Sequence, residues 1–158
     1  MRLYVKEKIL TIKDKYNIFD EKGNDMFFVE GKLISVGNKL TLFDKNRNEL
    51  YKIHEKLLTI LPKYHILKND EIIVEIHKKL TLINEKYIIE RLGWEISGNI
   101  LAHDYVIKKA DKIIATIHKK WISLSDCYEF DISDSEDIEL VLAVIITIDK
   151  VLDRRADT

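Results

Sequence analysis

Three histidines stand at one position of a pattern that recurs along the chain: His54, His77 and His118, each directly after an isoleucine. Imidazole is the commonest zinc ligand, so strands that aligned the three would make a metal site. The same position argues against one. A core-facing isoleucine in a strand puts its neighbour on the opposite face, and the three units share no carboxylate or cysteine there. The expectation is a surface position inherited with the repeat, with no metal and no cofactor. His103-Asp104, with Ser123 and Ser125 further on, supplies the residue types of a hydrolytic triad. A triad carboxylate orients its imidazole from across space, which a sequence neighbour does badly, and no G-x-S-x-G elbow is present. That block reads as a turn in which Asp104 accepts from nearby backbone donors, and no catalytic residue is assigned.

Lys78-Lys79 and Lys119-Lys120 are the paired cations that recur at one repeat position, and Trp121 follows the second pair. Basic strand positions beside an aromatic suit lipid headgroups or single-stranded nucleic acid. Strand alternation sends one lysine of each pair inward or towards an end. A solvated surface is the plain reading; among functional ones lipid contact comes first, and nucleic acid is not expected. Trp94 and Trp121 read as core or rim packing. Gly31, Gly37, Gly93 and Gly98 form no phosphate-binding loop and suit bulges or turns.

These positions belong to a repeat. Units open at Val5, Val29, Ile53, Ile76, Ile96 and Ile117, and five of the six carry lysine at the fourth place: Lys8, Lys32, Lys56, Lys79 and Lys120. A short polar turn then leads to an apolar pair two apart: Tyr16/Ile18, Leu40/Leu42, Tyr64/Ile66, Tyr87/Ile89, Tyr105/Ile107 and Tyr128/Phe130. Apolar residues at spacing two, bounded by Asp, Asn, Gly and Lys clusters, predict half-buried strands joined by turns. Pro62 lies between two of them, where it removes no ladder hydrogen bond. Each unit therefore supplies about two strands, which gives about twelve in all.

Closing those strands needs a filling, and the run Ile138 to Leu152 supplies it. It falls short of the roughly 20 apolar residues of a membrane span, yet it is apolar on every side and must be enclosed. Ser133 and Ser135 are candidate N-caps; acids crowd its start while Lys150, Arg154 and Arg155 crowd its end, the order that complements a helix dipole. Val141, Val144, Ile145 and Ile148 are expected at the centre of the core. Charge is divided unevenly: residues 1–120 hold 23 Lys/Arg against 17 Asp/Glu, and residues 121–158 hold 3 against 10. The lone Cys127 makes no internal disulfide. With no signal peptide in the opening residues, the expected location is cytoplasmic, with peripheral contact at the membrane surface.

Taken as blocks, VEGKLISVGNKLTLFD (29–44), KLLTILPKYHI (56–66), WEISGNILAHDYVI (94–107), KKWISLSDCYEFDI (119–132) and DIELVLAVIITIDKVLD (137–153) resemble the LURP-one-related family, bacterial branch. That resemblance implies the tubby C-terminal-like fold shared with phospholipid scramblases, a twelve-stranded barrel around a C-terminal helix. Tubby proteins bind phosphoinositides, but no motif here maps residue by residue onto their headgroup site, and the Pro-rich N-terminal extension of scramblases is absent. The expectation is one mainly β domain over 1–158, an antiparallel barrel of about twelve strands in six hairpin-like units (about 2–132) enclosing a buried helix (about 135–152). Its expected function is a non-enzymatic binding or adaptor module touching anionic phospholipid through Lys78, Lys79, Lys119 and Lys120. The alternative is a soluble protein that binds another protein or a small ligand and has no membrane role.

Overall fold

In every unit the opening Val or Ile and the later apolar pair fall on one face, because successive strand side chains alternate. All of these residues are buried, from Val5, Tyr16 and Ile18 in the first unit to Ile117, Tyr128 and Phe130 in the sixth, and none exceeds 9% exposure. The computed structural model describes residues 1–6, 15–33, 38–56, 63–79, 86–122 and 125–156. Lys8, Gly37, Pro62 and Ser123 lie outside the described residues, as do the side chains of Lys78, Lys79, Trp121 and Ser125.

The strands are β1 (Arg2–Lys6), β2 (Lys15–Phe19), β3 (Asp25–Leu33), β4 (Asn38–Asp44), β5 (Glu49–Lys56) and β6 (Lys63–Lys68). They continue as β7 (Glu71–Lys79), β8 (Lys86–Ile89), β9 (Trp94–Asn99), β10 (Asp104–Lys109), β11 (Lys112–Ile122) and β12 (Ser125–Ile132). Each pairs antiparallel with the next, and β1 pairs with β12 from Arg2↔Asp131 to Lys6↔Cys127 to close the barrel. Closure removes every free edge. The curl has a repeated cause: register shifts follow the apolar pair at Ile18/Phe19, Leu42/Phe43, Ile66/Leu67 and Ile107/Lys108. A bulge bends and twists the strand that carries it.

Turn chemistry repeats as well. The Asp20 carboxylate accepts from the backbone N–H of Lys22 and Asn24, and Asp44 does the same for Asn46 and Asn48. The residue that closes each turn takes positive φ, Gly23 at 82° and Arg47 at 66°. Two 3-10 turns, Glu90–Leu92 and Ile100–Ala102, link β8 to β9 and β9 to β10. Beside the second, the oxygen that caps the turn belongs to Asn99, which accepts from Ala102 N at 3.3 Å, while Asp104 begins the next strand.

After β12 the chain turns inward as helix α1 (Ile138–Ala156). Asp137 is its N-cap, accepting from Leu140 N at 3.1 Å and, through its carbonyl, from Val141 N at 2.9 Å. The expected caps Ser133 and Ser135 bond each other at 3.0 Å instead, and Lys112 holds Ser135 and Glu136 at 2.8 and 2.7 Å. The helix therefore starts at Ile138 rather than near 135. Every residue from Val141 to Asp149 is buried. Val141, Val144 and Ile148 are 0% exposed and Ile145 2%. A gap beside the helix, lined by residues that include Tyr16, His103, Tyr128 and Asp149, measures ≈ 10 Å³, room for about one water. The helix fills the barrel that the strands close.

Candidate functional site

A meander of hairpins sorts residues by their place in the unit. Odd-numbered strands run away from the end where α1 begins, as shown by Ile132 N→Met1 O at 2.8 Å and Ser133 N→Ile114 O at 2.9 Å. The far ends of these strands, and the starts of the even-numbered ones, form the opposite rim, where α1 finishes. Lysine is the last or first described residue of six strands there: Lys6, Lys15, Lys56, Lys63, Lys79 and Lys86. Register sets three lysine pairs directly across from one another, Lys32↔Lys39, Lys56↔Lys63 and Lys79↔Lys86. Like charges opposite each other destabilise a ladder, so this rim concentrates positive charge at a cost to the sheet.

Some of that charge is relieved along the outer wall. Lys63 meets Glu75 at 3.0 Å, Lys86 meets Glu95 at 2.6 Å and Lys120 meets Glu129 at 2.5 Å. His65 also contacts Glu75, and His118 contacts Glu129, each at 3.0 Å. His77 lies 3.8 Å from Glu90. Sequence reasoning put His54, His77 and His118 on the surface but missed these glutamates, Glu75 and Glu129 on neighbouring strands and Glu90 in the 3-10 turn after β8. Among the described residues no group of three or more His, Cys, Asp or Glu is placed to hold a metal ion. Glu129 is 4% exposed although it faces outward. Burial pushes its carboxyl up, but the bonds from Lys120 and Tyr4 outweigh that, so its pKa ends below the usual range. The Tyr4 phenol is pushed up to about 12, by burial first and then by Glu129.

The four lysines singled out from the sequence share this rim but not one patch. Lys78 and Lys79 end β7, where they pair with Tyr87 and Lys86; Lys119 and Lys120 lie on β11, opposite Tyr128 and Cys127. Three strands separate the two pairs. The lysines missed are Lys15, Lys39, Lys63 and Lys86. Their signal was a lysine directly before the apolar pair in four of the units.

His103 was read together with Asp104; its partner is Asp149 of α1, Nδ1 to Oδ1 at 3.3 Å. The imidazole ring lies against Tyr128, centroids 4.5 Å apart, on a backbone held at φ 52°. Neighbouring Tyr105 is buried, and burial followed by the Asp149 charge raises its pKa well above the ordinary value. The pair fastens the last turns of the helix to the β9–β10 connection.

Residues 1–149 match the sequence profile of the LURP-one-related family. The chain belongs to that family. The Bacillus subtilis (strain 168) protein YxjI, described as uncharacterised, is 32% identical to it over 152 residues, covering 96% of this chain and 94% of that one. An Arabidopsis thaliana protein solved by X-ray crystallography superposes with a TM-score of 0.63 at 14% identity, covering 95% of this chain and 91% of that one. At that identity the likeness carries the fold alone.

Proposed function

We propose that this LURP-one-related chain is a non-enzymatic binding or adaptor module, tubby-like in build, which meets anionic phospholipid at the cytoplasmic membrane surface through its lysine rim. The observation that carries this is the set of three lysine pairs placed face to face on one rim. An arrangement that costs the isolated sheet stability becomes favourable when an anionic plane lies across it. Near such a surface each lysine contributes about 1 kcal/mol, and the attraction fades within a Debye length of about 8–10 Å. Among the described residues no helix is long and apolar enough to cross a membrane.

Co-sedimentation with vesicles tests the reading. The protein should pellet with vesicles containing phosphatidylserine, stay in solution with phosphatidylcholine alone, and release as salt rises. Changing Lys78, Lys79, Lys119 and Lys120 to Gln should weaken binding. Changing Lys32, Lys39, Lys56 and Lys63 to Gln should weaken it at least as much, with a melting temperature no lower than that of wild type. A wild type that ignores anionic vesicles at low salt ends the membrane reading and leaves the alternative of a soluble partner or small ligand.

A further inference from the structure

Among the described residues three large apolar side chains stand more than half exposed: Ile72 at 53%, Ile113 at 51% and Leu101 at 64%. Ile72 and Ile113 lie near the starts of β7 and β11, at the rim where α1 begins. Leu101 alone of the three lies at the lysine rim, on the 3-10 turn that joins β9 to β10. That connection is complete, since every residue from Lys86 to Lys120 is described with its side chain. The turn holds its leucine outward by construction. Ile100 is buried and anchors the turn in the core, while Leu101 and Ala102 face solvent. The Asn99 side chain accepts from Ala102 N at 3.3 Å, and His103 N donates to Ile100 O at 3.0 Å. His103 is itself fastened to Asp149 and packed on Tyr128. Braced on both sides, the turn keeps Leu101 away from the core.

Lysines flank the tip. Ser97 stands opposite Lys86, so the strand reaches Asn99 about 7 Å past that lysine at the ordinary strand rise, and the turn lies beyond it. On the other side Tyr105 stands opposite Ile117, which brings Lys119 and Lys120 level with the turn. The nearest acids are engaged or set back: Asp149 meets His103, and Asp104 starts β10 behind the tip. A single exposed leucine is ordinary on a protein surface. One displayed on a braced turn between cations has the make-up of an interfacial anchor, with an apolar group for the acyl boundary and positive charge for the phosphates around it.

We propose that Leu101 is the apolar anchor of the lysine rim, entering the boundary between headgroups and acyl chains of an anionic bilayer while Lys86, Lys119 and Lys120 meet the phosphates beside it. The anchor rests on the membrane reading above and gives it an orientation. The rim where α1 ends lies against the bilayer, and the rim where α1 begins, with Ile72 and Ile113, faces away.

The test places a polarity-sensitive fluorophore, NBD, at one rim or the other. Leu101→Cys and Ile113→Cys, each combined with Cys127→Ala, are labelled and mixed at low salt with vesicles of phosphatidylcholine and phosphatidylserine. The label at position 101 should brighten, shift to the blue and be quenched by lipid spin-labelled in its acyl chain; the label at position 113 should do none of these. In co-sedimentation, unlabelled Leu101→Gln should bind the same vesicles about tenfold or more weakly than wild type. Leu101→Phe and Ile113→Gln should bind as wild type does, and circular dichroism confirms that all three fold. A wild type that ignores anionic vesicles ends the membrane reading and the anchor with it. Salt-sensitive binding by wild type, with position 101 no brighter than position 113 or with Leu101→Gln unimpaired, overturns the anchor alone and leaves electrostatic rim contact standing.

Discussion

Leu142 sits in the second turn of α1 with 0% of its surface exposed, so truncating it separates a core helix from a docked tail. Leu→Ala in a core costs about 2–5 kcal/mol, more when the surroundings cannot collapse into the space left. Strands enclose α1 on every side, and the residues before and after Leu142 are buried too, which puts Leu142→Ala in the upper half, about 3–5 kcal/mol. Set against a typical total of about 5–15 kcal/mol, that is a large share of the stability. For a chain of this size each kcal/mol moves Tm by roughly 2–4 °C, so the expected fall is roughly 6–20 °C. The internal control is Ile113→Ala, at a side chain 51% exposed, which should stay within about 0.5 kcal/mol of wild type. Urea unfolding followed by circular dichroism reads both. Ile145→Asp goes further: it loses about 1.5–3 kcal/mol of burial and adds the desolvation of a carboxylate, so no folded protein is expected. A Leu142→Ala midpoint equal to that of Ile113→Ala, or a cooperatively melting chain lacking residues 133–158, would refute the enclosed helix.

Acid should destabilise the protein in two stages. Burial first, then Lys39 and Lys52, holds the His54 pKa below 6.5; the unfolded chain takes the proton first, so stability present above about pH 6.5 is lost as pH falls through the lower folded value. Glu75, lowered by Lys63 and then His65, and Glu129 act in the same direction below their ordinary 4.5; a urea midpoint that rises between about pH 8 and pH 4 contradicts this sign. His103→Gln and Asp149→Asn should be non-additive by about 0.5–3 kcal/mol in a double-mutant cycle, and strict additivity would show that their contact does not couple them. A Cβ at Gly98, where φ is 135°, would stand 2.7 Å from Asp104 O, whereas one at Gly93 meets nothing within 4 Å. Gly98→Ala should therefore lower Tm well beyond Gly93→Ala, whose left-handed backbone alone costs about 1–2 kcal/mol; equal losses would show that the close approach is relieved cheaply.

Strands and core were legible because their signal is local. Tyr64 and Ile66, or Tyr128 and Phe130, show their common face by spacing alone, and the all-apolar run around Val144 announces enclosure. What needed the structure was pairing. Lys39, Lys63 and Lys86 are visible as a recurring lysine, but that each faces another lysine depends on the hairpin register. Asp149 stands out as a charge at the end of a buried run, and a buried charge demands a partner; nothing local identifies His103, which lies in a different unit.

Repetition of an antiparallel hairpin also explains why the charge is polarised. Each unit adds two strands, so every unit starts in the same direction and a given place in it returns to the same rim. Lys32, Lys56, Lys79 and Lys120 of the fourth place, and the lysines before the apolar pair, therefore accumulate where α1 ends, and the turn aspartates Asp20 and Asp44 accumulate where it begins. Around the first turn of α1 lie Asp137, Glu136 and Glu139, with Tyr51 OH 3.5 Å from Asp137. A helix presents partial positive charge at its N-terminus and partial negative charge at its C-terminus. Threaded in this sense, α1 sets its positive end among the acids and its negative end beneath the lysines. The reverse threading would oppose like charge at both rims, inside a barrel where water screens little. The charge pattern of the repeat thus favours this direction of the helix.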